Sequence, residues 1–153
     1  MIEKAANQTE LAAPCGLYCG VCRVHMAHAN DDLEFKERLA EELGLTVEDI
    51  KCEGCHSEVL FVGCTSCEIR SCVSEKAFKG CHQCGDFPCR FIKDYPLHYG
   101  RRVMERAIPA RRALGVEEWI GKELQRYRCP YCGGKAYMGA KECWDCREPV
   151  DID

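Results

Sequence analysis

Fifteen cysteines in 153 residues fall into close groups. In order they are Cys15-x3-Cys19-x2-Cys22, Cys52-x2-Cys55, Cys64-x2-Cys67-x4-Cys72, Cys81-x2-Cys84-x4-Cys89, and Cys129-x2-Cys132 with Cys143-x2-Cys146. The two members of a Cys-x-x-Cys pair rarely bond to each other in a structural disulfide framework, but they can grip one metal ion from a tight turn. An odd total also leaves at least one thiol without a disulfide partner. The opening run Met1-Ile2-Glu3-Lys4-Ala5-Ala6-Asn7-Gln8-Thr9-Glu10 is polar and lacks the apolar core of a secretory leader. A reducing, cytoplasmic setting is therefore expected, with all fifteen cysteines as candidate metal ligands.

The last group is the most specific. Its two pairs are ten residues apart, and Cys129-Pro130-Tyr131-Cys132-Gly133-Gly134 has the glycines that let a backbone turn beneath a metal. Two such knuckles on adjoining hairpins make a zinc ribbon, with rubredoxin-like iron as the competitor. Some 25 residues of ribbon have no other core, so four packed thiols alone would not hold them.

The third and fourth groups repeat each other as G-C-x2-C-x4-C, at Gly63–Cys72 and Gly80–Cys89, 17 residues apart. This suggests one site of Cys64, Cys67, Cys81 and Cys84. A second would combine Cys19 and Cys22 with Cys52 and Cys55. Cys15, Cys72 and Cys89 then remain for a third site, completed by a histidine or left with an open position. Other partnerings of the knuckles are equally compatible with the spacing. His25, His28 and His56 follow cysteines closely enough to serve, although surface histidines read the same way. His82 is committed to its own knuckle, and His98 stands apart.

Spacing does not separate zinc from an iron–sulfur cluster, because both use cysteine thiolates. Cys15-x3-Cys19-x2-Cys22 also has the spacing of radical S-adenosylmethionine enzymes. Val21 stands where those enzymes carry an aromatic residue, however, and the chain is too short for their barrel. No Ser/His/Asp arrangement, phosphate loop or dinucleotide fingerprint is present. The formal net charge of −4 understates the acidity of a metal-loaded chain, since four thiolates around a divalent ion leave a local charge of −2.

Charge is uneven. Residues 1–60 carry 5 basic and 12 acidic side chains, and residues 61–153 carry 16 and 13. The basic excess lies in Arg90–Arg112, with Arg90, Lys93, Arg101, Arg102, Arg106, Arg111 and Arg112 against Asp94 and Glu105. Such a segment beside zinc sites could bind nucleic acid, although a solvated helix face explains it more simply. No stretch is long and apolar enough for a membrane span, and the most apolar short run, Val59-Leu60-Phe61-Val62, is only strand-sized.

The elements that must position these residues are mostly helical. Asn30-Asp31-Asp32 starts a helix with Leu33, Lys36, Leu39, Ala40 and Leu43 on one side and Gly44 at its end. Thr46-Val47-Glu48-Asp49 is a capping turn. Between Leu97 and Tyr127 the pattern is helical but broken, with Pro109 starting a turn and Gly115 ending one. Val116, Ile120, Leu124 and Tyr127 then share a face beside Trp119, as core packing rather than a cofactor box. Segment 52–89 should be loops and short turns shaped by metal. The expected architecture is a small metal-stabilised α+β fold. It comprises a cysteine-rich knuckle domain with helices (1–95), a helical connector (96–127) and a zinc ribbon (128–153).

Cys15-Gly16-Leu17-Tyr18-Cys19, Asn30-Asp31, Asp49-Ile50-Lys51-Cys52-Glu53-Gly54-Cys55, Cys67-Glu68-Ile69-Arg70-Ser71-Cys72 with Glu75-Lys76, and Phe87-Pro88-Cys89 together resemble a cysteine-rich prokaryotic family, domain of unknown function 3795. The resemblance runs over about residues 12–95. Gly115-Val116-Glu117-Glu118-Trp119 leading into a Cys-Pro-x-Cys ribbon is similar to longer members. The family being uncharacterised, the resemblance implies metal binding and supplies no reaction.

Three functions follow as expectations. The first is a zinc-binding module acting through a protein or nucleic-acid partner. The second is an iron–sulfur redox or metal-delivery accessory protein, and the third a zinc enzyme with an open site. On the first, metal stands in for a hydrophobic core. Chelation is accordingly expected to unfold the N-terminal segment, read as loss of helical circular dichroism; unchanged ellipticity after metal removal counts against it.

Overall fold

The computed structural model describes residues 8–153. Among the described residues six α-helices run in order: α1 Arg23–Ala29, α2 Leu33–Leu43, α3 Glu68–Glu75, α4 Arg90–Lys93, α5 His98–Leu114 and α6 Val116–Arg126. Short 3-10 turns punctuate them, among them Cys19–Val21, Val62–Cys64 and Cys81–Gln83. No helix among the described residues is long and apolar enough to cross a membrane.

The expected α+β class needs correcting. Among the described residues the only β pairing is three isolated bridges, Ala12 with Tyr18, Arg128 with Lys135, and Glu142 with Pro149. Each joins the two sides of a tight turn, and no ladder extends beyond it. Val59–Val62 likewise forms no strand; its end enters the 3-10 turn Val62–Cys64. The fold is therefore mostly helical, with cysteine-bearing turns between helices.

Local signals set α2 well. The Asp32 carboxylate accepts from the Phe35 N–H at 3.1 Å, and Gly44 ends the helix in the left-handed region at φ 68°. Thr46 and Asp49 close a reciprocal capping box around the 3-10 turn Val47–Asp49.

Two expectations differ from what forms. Pro109 starts no turn but lies inside the continuous helix α5. Proline removes one bond to the carbonyl four residues earlier, that of Glu105. Both residues are on the exposed face, where water takes the freed carbonyl. Segment 52–89 also contains a real helix, α3, which buries Ile69 and Val73 one turn apart.

The main core joins the N-terminal segment to the two long helices. Tyr18 and Val21 pack with Val103, Met104, Ala107 and Ile108 of α5 and with Trp119 and Ile120 of α6. Tyr18 meets Trp119 edge-on, with ring centroids 6.1 Å apart. Polar fasteners cross this core. Buried Arg111 donates to the Ala13 carbonyl at 2.8 Å, and buried Glu123 accepts from Arg106 at 2.5 and 3.1 Å.

A second cluster holds Val24, Ala27, Phe35, Leu39 and Ile50, and the C-terminal segment docks on it. Trp144 stacks on Phe35 at 4.3 Å between ring centroids, with the Arg147 guanidinium 4.1 Å from the indole centre. The indole N–H donates to Asp32 at 3.2 Å. Trp144→Ala is expected to lower stability by about 2 kcal/mol, since it removes a half-buried ring and this bond. Chemical denaturation of the metal-loaded protein measures it, and a change too small to resolve would mean that the segment does not rest on α2.

Candidate metal centres

The C-terminal cysteines converge as the spacing predicts. Cys129, Cys132, Cys143 and Cys146 place their sulfurs all within 4.8 Å of one another, the only such group of three or more candidate ligands among the described residues. Cys129 and Cys146 are 3.7 Å apart, as are Cys132 and Cys143.

Two equivalent turns build this group. In the first, the Gly133 N–H donates to the Cys129 carbonyl at 2.9 Å and the Cys129 N–H to the Gly134 carbonyl at 2.8 Å. In the second, Arg147 donates to Cys143 at 3.0 Å and Cys143 to Glu148 at 2.9 Å. Both turns need a left-handed residue after the second cysteine, and Gly133 (φ 72°) and Arg147 (φ 63°) supply it. The turns also aim backbone donors at sulfur, Tyr131 N–H at Cys129 (3.4 Å) and Gly134 N–H at Cys132 (3.3 Å).

The electrostatics ask for a cation. Backbone donation, first from Cys132, draws the Cys129 thiol down to about 7. Against a lowering bond from the Glu148 backbone, burial and the three neighbouring sulfurs push Cys146 up to about 12. Cys129 ionises readily, whereas Cys132 and Cys146 resist, because burial and neighbouring sulfurs disfavour further negative charge. A bound metal ion removes that resistance, so the donor set fits a thiophilic metal.

The N-terminal cysteines are arranged differently. Cys19 and Cys55 approach to 3.7 Å, with the Cys19 thiol donating to Cys55 and lowering it while Cys19 itself is raised. Burial raises Cys22, with Cys52 and Cys55 as its neighbouring sulfurs. Burial likewise pushes Cys64 up to about 12, helped by Cys22, Cys55, Cys52 and Cys67. Cys15 is buried and raised well above the ordinary range, with Cys55, Cys67 and Cys81 next to it. Among them no three sulfurs close to within 4.8 Å of one another, as the four C-terminal ones do.

Cys64, Cys67, Cys81 and Cys84, expected as one site, are not drawn together within 4.8 Å. Cys64 and Cys67 open onto a cavity with Ser66, Arg90, Tyr95 and Pro96. Cys81 and Cys84 line another cavity, with Cys72 and Cys89. Helix α3 thus places Cys72 at the cavity of the following knuckle.

No histidine joins three cysteines within 4.8 Å. The His25 ring nitrogen lies 3.0 Å from the Cys52 carbonyl, His28 is 3.8 Å from Glu53, and His56 is 3.2 Å from the Ala12 carbonyl. In the arginine-rich segment, guanidiniums hold the chain to itself, Arg101 at the Lys93 carbonyl and Arg102 at the Asp153 carbonyl on the exposed side. Arg106 pairs with Glu123, Arg111 binds Ala13, and Arg112 donates to the His82 carbonyl at 2.7 Å and to the Cys84 carbonyl. The helical reading of this segment stands, but those three side chains are not simply a solvated face.

Sequence reasoning missed Lys76, whose ammonium lies 3.6 Å from the Cys84 sulfur, and the fastening roles of Arg112 and Trp144. Only Trp144 left a signal, as a large aromatic side chain inside a metal knuckle.

The two ribbon glycines should respond differently. A Cβ on Gly133 meets nothing within 4 Å, so Gly133→Ala costs only the left-handed backbone, about 1 kcal/mol. A Cβ on Gly134 would lie 3.1 Å from the Cys132 sulfur and collide with the Asp145 carboxylate. Gly134→Ala is expected to weaken metal retention in a chelator competition while Gly133→Ala leaves it near wild type; equal retention by both would contradict the close-approach argument.

No curated protein and no solved structure matches the chain. A family model described as "Protein of unknown function (DUF3795)" matches residues 11–94, which hold eleven of the cysteines and α1 to α4. Because that match covers more than half of the chain, the protein belongs to the DUF3795 family.

Proposed function

We propose that this is a zinc-binding protein of a reducing, cytoplasmic compartment, whose C-terminal segment is a zinc ribbon serving as a structural and interaction module. The reading is carried by the convergence of Cys129, Cys132, Cys143 and Cys146, with sulfurs 3.7 Å apart in two pairs. A zinc ion with Zn–S distances of about 2.3 Å sets four tetrahedral sulfurs about 3.8 Å apart. All four coordination positions are then filled by protein, which is the pattern of a structural rather than a catalytic zinc. The fifteen free thiols support the reducing compartment.

The ion holds two knuckles that have only single bridges between their sides, and those knuckles seat Trp144 on α2. A protein partner suits the surface better than nucleic acid. Arg106, Arg111 and Arg112 are engaged within the chain, whereas Tyr131 at the tip of the first knuckle is 67% exposed. Exposed aromatic side chains are favoured anchors at protein interfaces.

Metal analysis of anaerobically purified chain, with its visible spectrum, tests the proposal. Replacing Cys129 and Cys146 together by serine should remove about one zinc per chain and leave the helical circular dichroism largely in place. Loss of iron instead, with loss of a visible band, would assign the ribbon to rubredoxin-like chemistry. No change in metal content would remove the ribbon reading altogether.

A further inference from the structure

A second group of four cysteines lines a cavity beside α3 and α4. Cys72 comes from the middle of α3, Cys81 and Cys84 from the 3-10 turn and its end, and Cys89 from the residue before α4. All four line a cavity of about 20 Å³ whose other walls are Ile69, Val73, Phe78, Phe87, Phe91 and Lys76. That is room for about one water-sized group. Its only heteroatom-bearing side chains are the four thiols and one lysine.

We propose that Cys72, Cys81, Cys84 and Cys89 form a second thiophilic metal centre, independent of the ribbon. The site goes beyond the ribbon reading and stands without it, because the two groups share no ligand and no turn.

Three observations carry the assignment. First, the ligand-bearing turn is anchored from outside. Cys81 N–H donates to the Pro14 carbonyl at 2.8 Å, Cys84 N–H to the Cys81 carbonyl at 3.0 Å, and Arg112 on α5 reaches the carbonyls of His82 and Cys84. Second, the four thiols share one cavity, in whose lining Lys76 is the sole other polar side chain. Third, a cation attends them. Lys76 places its ammonium 3.6 Å from the Cys84 sulfur and 3.7 Å from the Asp86 carboxylate.

The Asp86 carboxylate accounts for part of the ammonium's placement, and the four thiols around one cavity for the rest. Four thiolates gathered about a divalent ion leave a net negative site that a nearby cation compensates. The sulfurs are set more widely than those of the ribbon, which are the only set within 4.8 Å of one another. A single ion would draw them inward, whereas an iron–sulfur cluster binds each cysteine to a different iron and keeps them apart. Both sources use the same four thiolates.

Thiol alkylation of the full chain, mapped residue by residue by mass spectrometry, tests the site. Metal-stripped protein is loaded with zinc alone, or with iron and sulfide, under anaerobic conditions. Cys72, Cys81, Cys84 and Cys89 are expected to become protected together, by at least tenfold in alkylation rate. Protection by zinc alone identifies a single ion; protection that requires iron and sulfide identifies a cluster. In Cys72→Ser, Cys81, Cys84 and Cys89 should lose protection while the ribbon cysteines keep theirs. Cys64→Ser should leave Cys81 and Cys84 protected. The opposite pattern, with Cys81 and Cys84 exposed by Cys64→Ser and not by Cys72→Ser, would overturn the assignment. Should Cys72→Ser fail to fold, the wild-type footprint decides, and equal alkylation of the four thiols with and without either metal refutes the centre. Loss of ribbon protection alone bears on the zinc ribbon and leaves this site standing.

Discussion

A thiolate survives inside a protein only where N–H donors, a cation or a metal face it, and the layout of this chain follows from that requirement. Cys52, Cys129 and Cys132 sit in short turns, where a backbone N–H reaches sulfur. Such turns have little of their own to hold them. A single bridge closes each ribbon knuckle, and the N-terminal turns lean on helices for support. The helices supply rigidity, and the sulfurs decide where the turns must meet.

The two long helices give that support through specific side chains. Arg111 fixes the strap that precedes Cys15, and Arg112, the next residue, fixes the turn that holds Cys81 and Cys84. One helical turn of α5 thereby registers two cysteine groups against each other. Arg106 and Glu123 join α5 to α6, and at the far end of α6 the Tyr127 hydroxyl donates to the Asp153 carboxylate at 2.6 Å. A basic run that suggests a nucleic-acid surface when read along the chain is thus partly an internal clamp once folded. Guanidinium groups suit the task because each offers several donors in a planar fork.

What could be read from residue order was whatever depends on near neighbours. Asp32 and Gly44 bound α2 because caps act over three or four residues, and the ribbon knuckles announced themselves because each closes within six. Which cavity each remaining cysteine faces was not legible, since it depends on how α3 turns Cys72 relative to the preceding knuckle. Two motifs of identical spacing therefore do not place their sulfurs identically. Pro109 was misread for a related reason: the cost of proline in a helix depends on whether the freed carbonyl meets water, and exposure is a tertiary property. Glu123 gave no sign at all of being buried, because its partner Arg106 lies on a different helix.

Asp32 divides its carboxylate between two duties. One oxygen starts α2 by accepting from Phe35, and the other receives the indole of Trp144 from the ribbon. The first turn of α2 and the seating of the ribbon are consequently linked equilibria, and each gains from the other's being formed. Amide hydrogen exchange at the start of α2 thus becomes a remote gauge of how the Cys143–Cys146 turn is seated, read from a helix that carries no cysteine.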